Sequence, residues 1–198
     1  MDTIIASSSE HDKKSYKEAV LNLREDSNRR IQLIKKLLPV LSYQYSYRLL
    51  DIGSEHGVFV QEAAHNGFSA QGIELSIFAR RYSKDNYNID ILDSMDKIYE
   101  TEPIYNVVTI WKKLEQLSEP LLYLKKIKEL LPVGGVLVFR VPMVGKKRNF
   151  DGFFRITVKG GKKLAERAGF AVVYSIKSSV QSTQNEELIE FYCVKYGK

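Results

Sequence analysis

The chain has 198 residues, 44% hydrophobic and 27% charged, with a formal net charge of +6, which suits one soluble globular domain with a sizeable core. No apolar run approaches the roughly 18–20 residues of a membrane span, and Met1-Asp2-Thr3-Ile4-Ile5-Ala6-Ser7 lacks the basic flank and apolar core of a secretory signal. A single cysteine, Cys193, excludes an intrachain disulfide, argues against a Cys-based metal site and points to the reducing cytoplasm.

Residues 1–9 read as a loose tail. From Glu10 to about Leu41 apolar positions recur at helical spacing: Tyr16, Ala19, Val20 and Leu23, then Ile31, Ile34, Leu37 and Leu38. The spacing predicts two helices, parted by a polar break at Asp26-Ser27-Asn28 and stopped by Pro39. Residues 1–44 are therefore expected to form a helical extension outside the main domain, a lid over the site, a packing segment or a dimer contact. Residues 45–198 are expected to form the main domain.

Strands and helices then alternate. Strands are predicted at Arg48–Gly53, Ala70–Glu74, Ile89–Leu92, Val107–Ile110, Val136–Val141, Ala171–Ile176 and Leu188–Val194. Helices are predicted near Val58–Asn66, Ile77–Asn86, Pro120–Leu131 and Val158–Ala168. Gly67, Gly134-Gly135 and Gly169 follow helices where a left-handed cap is wanted. Such alternation implies an α/β fold, a doubly wound and mostly parallel sheet with helices on both faces. The last two of the seven strands are joined by the polar Lys177–Glu187 without a helix signal, so the last strand is expected to run antiparallel.

Charge is uneven along the chain. Residues 1–100 carry 13 Lys/Arg against 15 Asp/Glu, and residues 101–198 carry 17 against 9. The excess is densest in Lys146, Lys147, Arg148, Arg155, Lys159, Lys162 and Lys163. This cluster suits an anionic small substrate or RNA, or simply a solvated loop. Phe150, Phe153 and Phe154 interleave with it and read as a hydrophobic lid over a small acceptor or as a base-stacking surface.

The strongest local signal is Leu49-Leu50-Asp51-Ile52-Gly53-Ser54-Glu55-His56-Gly57, followed by Gly72-Ile73-Glu74-Leu75-Ser76. Two apolar runs each end in an acid, with a glycine-punctuated turn after the first. The acids lie roughly 20 residues apart, the spacing at which the second reaches a ribose hydroxyl. Downstream stand Trp111-Lys112-Lys113-Leu114-Glu115-Gln116-Leu117-Ser118-Glu119-Pro120, Leu130-Leu131-Pro132-Val133-Gly134-Gly135-Val136-Leu137-Val138-Phe139-Arg140-Val141-Pro142, and Lys163-Leu164-Ala165-Glu166-Arg167-Ala168-Gly169-Phe170.

In this order and spacing the segments resemble the class I S-adenosylmethionine-dependent methyltransferases, through D-x-G-x-G-x-G, W-x-x-L-E-H-x-x-x-P, L-L-x-x-G-G-x-L-x-x-x-x-P and the "aGF" turn. The resemblance runs from about Leu49 to Val194 and implies a Rossmann-like seven-stranded sheet with S-adenosylmethionine as cofactor. It places Asp51, Gly53, Ser54, Glu55 and Gly57 at the cofactor: Asp51 would order the loop or meet the amino-acid end, Gly53 would let the backbone approach closely, and Gly57 would open the first helix, with Glu74 on the ribose and Leu75 next to it. Asp93 and Ser94 would lie by the adenine. Trp111 would wall the pocket, with Lys112, Gln116, Pro142 and Met143 facing the acceptor. No metal is implied.

Two positions depart from the pattern. Glu55 replaces a glycine, and its carboxylate either faces a cationic ammonium or sulfonium or crowds the site. Gln116 replaces a histidine and cannot titrate. His56, His65 and His11 are weak candidates for a base, and no H-E-x-x-H, P-loop or G-x-S-x-G motif occurs.

The leading expectation is methyl transfer to oxygen or nitrogen of a small molecule, one that the basic cluster suggests is anionic. A catalytically degenerate binding or scaffold protein and an RNA methyltransferase are the alternatives. They would differ in cofactor binding and in salt-dependent RNA binding. A nicotinamide dehydrogenase shares the strand–glycine–acid logic, but Asp51 just before the glycines and the antiparallel end of the sheet count against it.

Overall fold

The computed structural model describes residues 10–39, 46–99, 105–111, 113–144, 152–180 and 186–197. Lys112, Lys146, Lys147, Arg148 and Phe150, all singled out above, lie outside the described residues. One sheet of six strands organises the rest, in the order β2-β1-β3-β4-β6-β5. The strands are β1 (Arg48–Ile52), β2 (Ser69–Ile73), β3 (Val107–Trp111), β4 (Val136–Pro142), β5 (Phe170–Val180) and β6 (Glu186–Lys195). The first four pair in parallel, and β6 inserts antiparallel between β4 and β5.

The seventh strand expected at Ile89–Leu92 does not form. It shrinks to a single parallel bridge between Ile73 and Leu92. Leu92 donates to the Gly72 carbonyl and accepts from the Glu74 N–H, both at 2.9 Å. Asn88, at φ 54°, has just ended the preceding helix, so only four residues separate that cap from Asp93. They are too few for a longer ladder, and the segment stays an edge contact.

Helices cover both faces. On one lie α1 (Glu10–Lys35), α2 (Val58–His65) and α3 (Ile77–Tyr87). There Ile31, Ile34, Phe59 and Ala63 pack against Leu49, Val107, Trp111, Val138 and Tyr192. On the other lie α5 (Pro120–Glu129) and α6 (Val158–Ala168), with the single turn α4 (Asp96–Tyr99). There Leu124, Ile127, Ala165 and Ala168 meet Leu50, Val108, Leu137, Phe139 and Phe191. Odd and even strand residues sort to opposite faces, as the two-residue repeat requires, and both faces are buried, as parallel strands demand. Gly161 shows how closely α6 approaches the sheet: a Cβ there would stand 2.0 Å from the Phe191 ring.

The N-terminal segment corrects a second expectation. One continuous helix, not two, spans Glu10–Lys35, and the polar Asp26-Ser27-Asn28 does not break it. These residues turn inward to polar partners instead. Asn28 donates to Glu62 of α2 at 2.9 Å, and Asp26 pairs with Arg29 at 2.6 Å and with Arg30. Ser27 is buried. A helix can carry polar residues inside an apolar stripe when its neighbours satisfy them, and the sequence does not show those neighbours.

Arg30 crosses from α1 to the sheet. Its Nη2 and Nε lie 2.7 and 2.8 Å from Glu190 Oε1 on β6, and Tyr192 donates to the other oxygen at 2.8 Å. Arg30 is 4% exposed and Glu190 fully buried, so neither charge has water to fall back on. Burial first, and the Glu190 carboxylate second, push the Tyr192 hydroxyl well above its usual range, which keeps it a hydrogen-bond donor. Removing one partner of such a pair strands the other. Arg30→Met is expected to cost about 3–5 kcal/mol of stability, measured by urea unfolding. Adding Glu190→Gln should restore most of that loss.

Candidate functional site

The turn after β1 is built by backbone conformations that side chains resist. Gly53, Glu55 and Gly57 all take positive φ, at 74°, 49° and 78°. Left-handed backbone costs an L-residue roughly 1–2 kcal/mol, so Glu55 is strained where a glycine would not be. The strain is held in place locally. The Glu74 carboxylate accepts the Glu55 N–H at 3.1 Å through one oxygen and the Ser76 N–H at 2.9 Å through the other. The Ile73 carbonyl takes the N–H groups of Gly53 and Ser54 at 2.8 and 3.0 Å.

Two glycines let this turn sit close to its neighbours. A Cβ on Gly72 would meet Ser54 Oγ at 2.7 Å, and one on Gly57 would meet Ser83 Oγ of α3 at 2.4 Å. The C-terminal edge of β1 thus carries a tight, closely packed loop with its backbone near the surface.

Beneath α1 the loop closes a cavity of about 70 Å³ lined by Ser27, Arg30, Asp51, Ser54, Trp111 and Arg140, among others. Its polar chemistry is incomplete in a consistent way. Asp51 is fully buried. Its Oδ1 accepts the Thr109 hydroxyl at 2.6 Å, while Oδ2 has no partner. Burial, opposed by the Thr109 bond and helped by Glu55, pushes the carboxyl up to about 7. Trp111 Nε1 and Arg140 Nε are buried without partners as well. Two guanidiniums lie near the Trp111 ring, Arg30 at 4.7 Å and Arg140 at 5.7 Å, with Phe59 edge-on at 5.1 Å. Native proteins leave few buried polar atoms unpaired; three around one small cavity mark a place built for a polar ligand.

The expected residues divide into groups. Asp51, Gly53, Ser54, Glu55 and Trp111 line the cavity. Gly57 stands before the first turn of α2, and Glu74 braces the loop. Leu75, 80% exposed, forms an open apolar shelf next to the buried Glu74. Asp93 pairs with Lys97 at 2.8 Å, and Ser94 follows it on the same edge. Gln116 is exposed at the end of a short 3-10 turn, Leu114–Gln116. Pro142 is buried at the end of β4 opposite Leu188, and Met143 is half-buried against the core. His56 is exposed at the lip of the cavity, with its ring 4.9 Å from Tyr82. Among the described residues no three His, Cys, Asp or Glu side chains gather as metal ligands.

Leu23, Ser27 and Arg30 of α1 and Arg140 of β4 were not expected in the site. A signal for two of them was present. Arg30 sits within the apolar stripe that leads to Ile31 and Ile34, and Arg140 interrupts Val136-Leu137-Val138-Phe139-Arg140-Val141. A charge inside an apolar run needs a partner or a task.

The residues present fit the amino-acid end of an adenosyl cofactor. The cavity offers a buried acceptor at Asp51, donors at Trp111 and Arg140, and room for a small polar head group. The shelf at Glu74 and Leu75 leaves a carboxylate and an apolar surface for a nucleoside.

Comparison with solved structures gives the same architecture. Magnesium protoporphyrin IX methyltransferase from Synechocystis, solved with SAH, superposes with a TM-score of 0.67 at 10% identity, over 89% of this chain and 84% of that one. An S-adenosylmethionine-dependent methyltransferase of Listeria monocytogenes gives 0.65 at 18% identity, over 87% and 100%. The [4+2]-cyclase SpnF gives 0.63 at 16% identity, over 86% and 82%. At these identities the likeness is one of fold. No curated protein matches the chain in sequence. A methyltransferase-domain family model matches residues 10–175, from the start of α1 into β5, and the chain belongs to that family.

Proposed function

We propose that the chain is an S-adenosylmethionine-dependent methyltransferase acting on oxygen or nitrogen of a small-molecule acceptor. The observation that carries this reading is the buried, half-satisfied Asp51 at the end of β1, facing a cavity roofed by the Gly53–Gly57 turn. An ammonium group placed there would pair with Oδ2. Glu74 would hold the ribose, since each carboxylate oxygen accepts one backbone N–H and keeps further acceptor capacity. Leu75 would cover the adenine, and Trp111 would wall the reacting end.

When bound, S-adenosylmethionine supplies a methyl group on a good leaving group. The residues then have mainly to hold nucleophile, methyl and sulfur in line and to exclude water. That work suits a site in which, among the described residues, no buried histidine lines the cavity. α1 serves as its wall, because Ser27 and Arg30 close the side opposite the sheet. A magnesium protoporphyrin methyltransferase of the same fold gives a precedent for a small-molecule substrate.

Calorimetric titration of the purified chain with S-adenosylmethionine and S-adenosylhomocysteine is expected to show saturable binding at one site. Absence of heat and of any thermal shift at millimolar ligand would reject the reading.

Asp51 gives the binding and the stability a pH dependence. In the folded chain it holds its proton to about pH 7, whereas its ordinary value is 3.8. Between those limits the folded state binds more protons than the unfolded one, so the stability Asp51 contributes is fully present below about pH 4 and is lost as pH rises to 7. The slope approaches about 1.4 kcal/mol per pH unit. Asp51→Asn should remove it, so the stability gap between variant and wild type widens from pH 5 to pH 8 in urea unfolding. Cofactor affinity of the wild type should rise over the same range, because only the ionised carboxylate attracts an ammonium.

Glu55→Gly relieves left-handed strain of roughly 1–2 kcal/mol and forfeits about 0.5–1 kcal/mol to the freer unfolded glycine. The variant should melt slightly above wild type and bind S-adenosylmethionine at least as tightly. Weaker binding would show that the Glu55 carboxylate itself contributes to the site.

A further inference from the structure

Trp111 and Arg140 are paired across β3 and β4, and Glu190 of β6 stands opposite Arg140. Residues in register on adjacent strands send their side chains to the same face, so one row at the edge of the sheet carries an indole, a guanidinium and a carboxylate. The carboxylate is already taken. Glu190 Oε1 receives Arg30, Oε2 receives the Tyr192 hydroxyl, and Arg29 lies 3.6 Å away.

Arg140 is therefore left over. It has no hydrogen bond and no ion pair among the described residues, and its Nε is buried, as is Trp111 Nε1. Both groups only donate, and both belong to residues that line the cavity under α1. Arg30, held by Glu190, adds a second positive charge beside them. A largely desolvated guanidinium beside another cation, with no hydrogen-bonded acceptor of its own among the described residues, is unfavourable in the empty protein. An anion with two acceptor oxygens would satisfy it, and the planar guanidinium fork matches a carboxylate.

We infer that Arg140 and Trp111 Nε1 form a carboxylate-binding pair in this cavity. The carboxylate belongs either to the cofactor's amino-acid end or to the acceptor. The first source rests on the function proposed above, and the second makes the acceptor an organic acid.

The test compares wild type with Arg140→Met, close in size and uncharged, and Arg140→Lys, which keeps the charge but loses the fork. Three calorimetric titrations separate the sources: S-adenosylhomocysteine, 5′-methylthioadenosine, which lacks the amino-acid carboxylate, and benzoate, with benzamide as neutral control. Benzoate is added to the free and to the S-adenosylhomocysteine-saturated protein.

Loss of a charge-assisted hydrogen bond predicts weakening by about tenfold to a hundredfold in Arg140→Met, with Arg140→Lys between. A loss for S-adenosylhomocysteine with 5′-methylthioadenosine unchanged assigns the pair to the cofactor. A loss for benzoate, with benzamide silent throughout, assigns it to the acceptor. Wild-type affinities for both carboxylates in Arg140→Met overturn the inference, as does a wild type that binds neither. If wild type binds benzoate through Arg140 but not S-adenosylhomocysteine, the cofactor reading fails and the carboxylate site stands. Arg140→Met should melt no lower than wild type, because the charge it removes has no partner. A lower melting temperature with unchanged binding means a structural arginine and also overturns the proposal.

Discussion

The contact on which the site depends is the buried bridge from Arg30 to Glu190. It joins the N-terminal helix to the antiparallel strand inserted at the far side of the sheet, across 160 residues of chain. The two charges are worth little as a net contribution to stability, since desolvation offsets much of their attraction. Their value is positional. They fix α1 over the C-terminal edge of β3 and β4 and so give the cavity its outer wall. The bridge also occupies Glu190, the carboxylate in register with Arg140 on the neighbouring strand.

Charge at this edge is arranged by subtraction. Glu190 is used by Arg30 and Tyr192, Glu74 by the backbone of the turn, and one oxygen of Asp51 by Thr109. What remains is an acceptor on one side, at Asp51 Oδ2, and two donors on the other, at Trp111 and Arg140. Such a distribution is poor for an empty protein and good for a ligand carrying both signs. Desolvation, with the nearby Glu55 carboxylate helping it, places the Asp51 carboxyl near neutrality, where a bound cation would shift its ionisation most. Glu55 belongs to the same economy of strain: its left-handed backbone is tolerated because the Glu74 carboxylate receives its N–H.

Much of this was legible before any coordinates. The strand ending in Asp51, the glycine turn and the second acid Glu74 follow from apolar runs, turn chemistry and spacing. The helix Val158–Ala168 follows from its period and from Gly169 behind it. Errors arose where partners distant in sequence decide the outcome. Asp26-Ser27-Asn28 read as a break because polar residues in a stripe usually end a helix, yet Glu62 and Arg30 satisfy them. Ile89–Leu92 read as a strand because it is apolar, yet it lies at the sheet's edge with one neighbour and too little length to pair beyond Leu92.

The sequence by itself determined the α/β class, the order of most elements and the acidic and glycine positions at the ends of β1 and β2, because these rest on local periodicity and backbone preference. The tertiary structure decided that α1 is one helix packed into the core, that the sheet has six strands among the described residues, and that Arg30 and Arg140 both come up to the Trp111 ring. Those outcomes depend on which buried charge finds which partner. Local preference carries no information about that, because each pairing joins residues that only the folded sheet brings together.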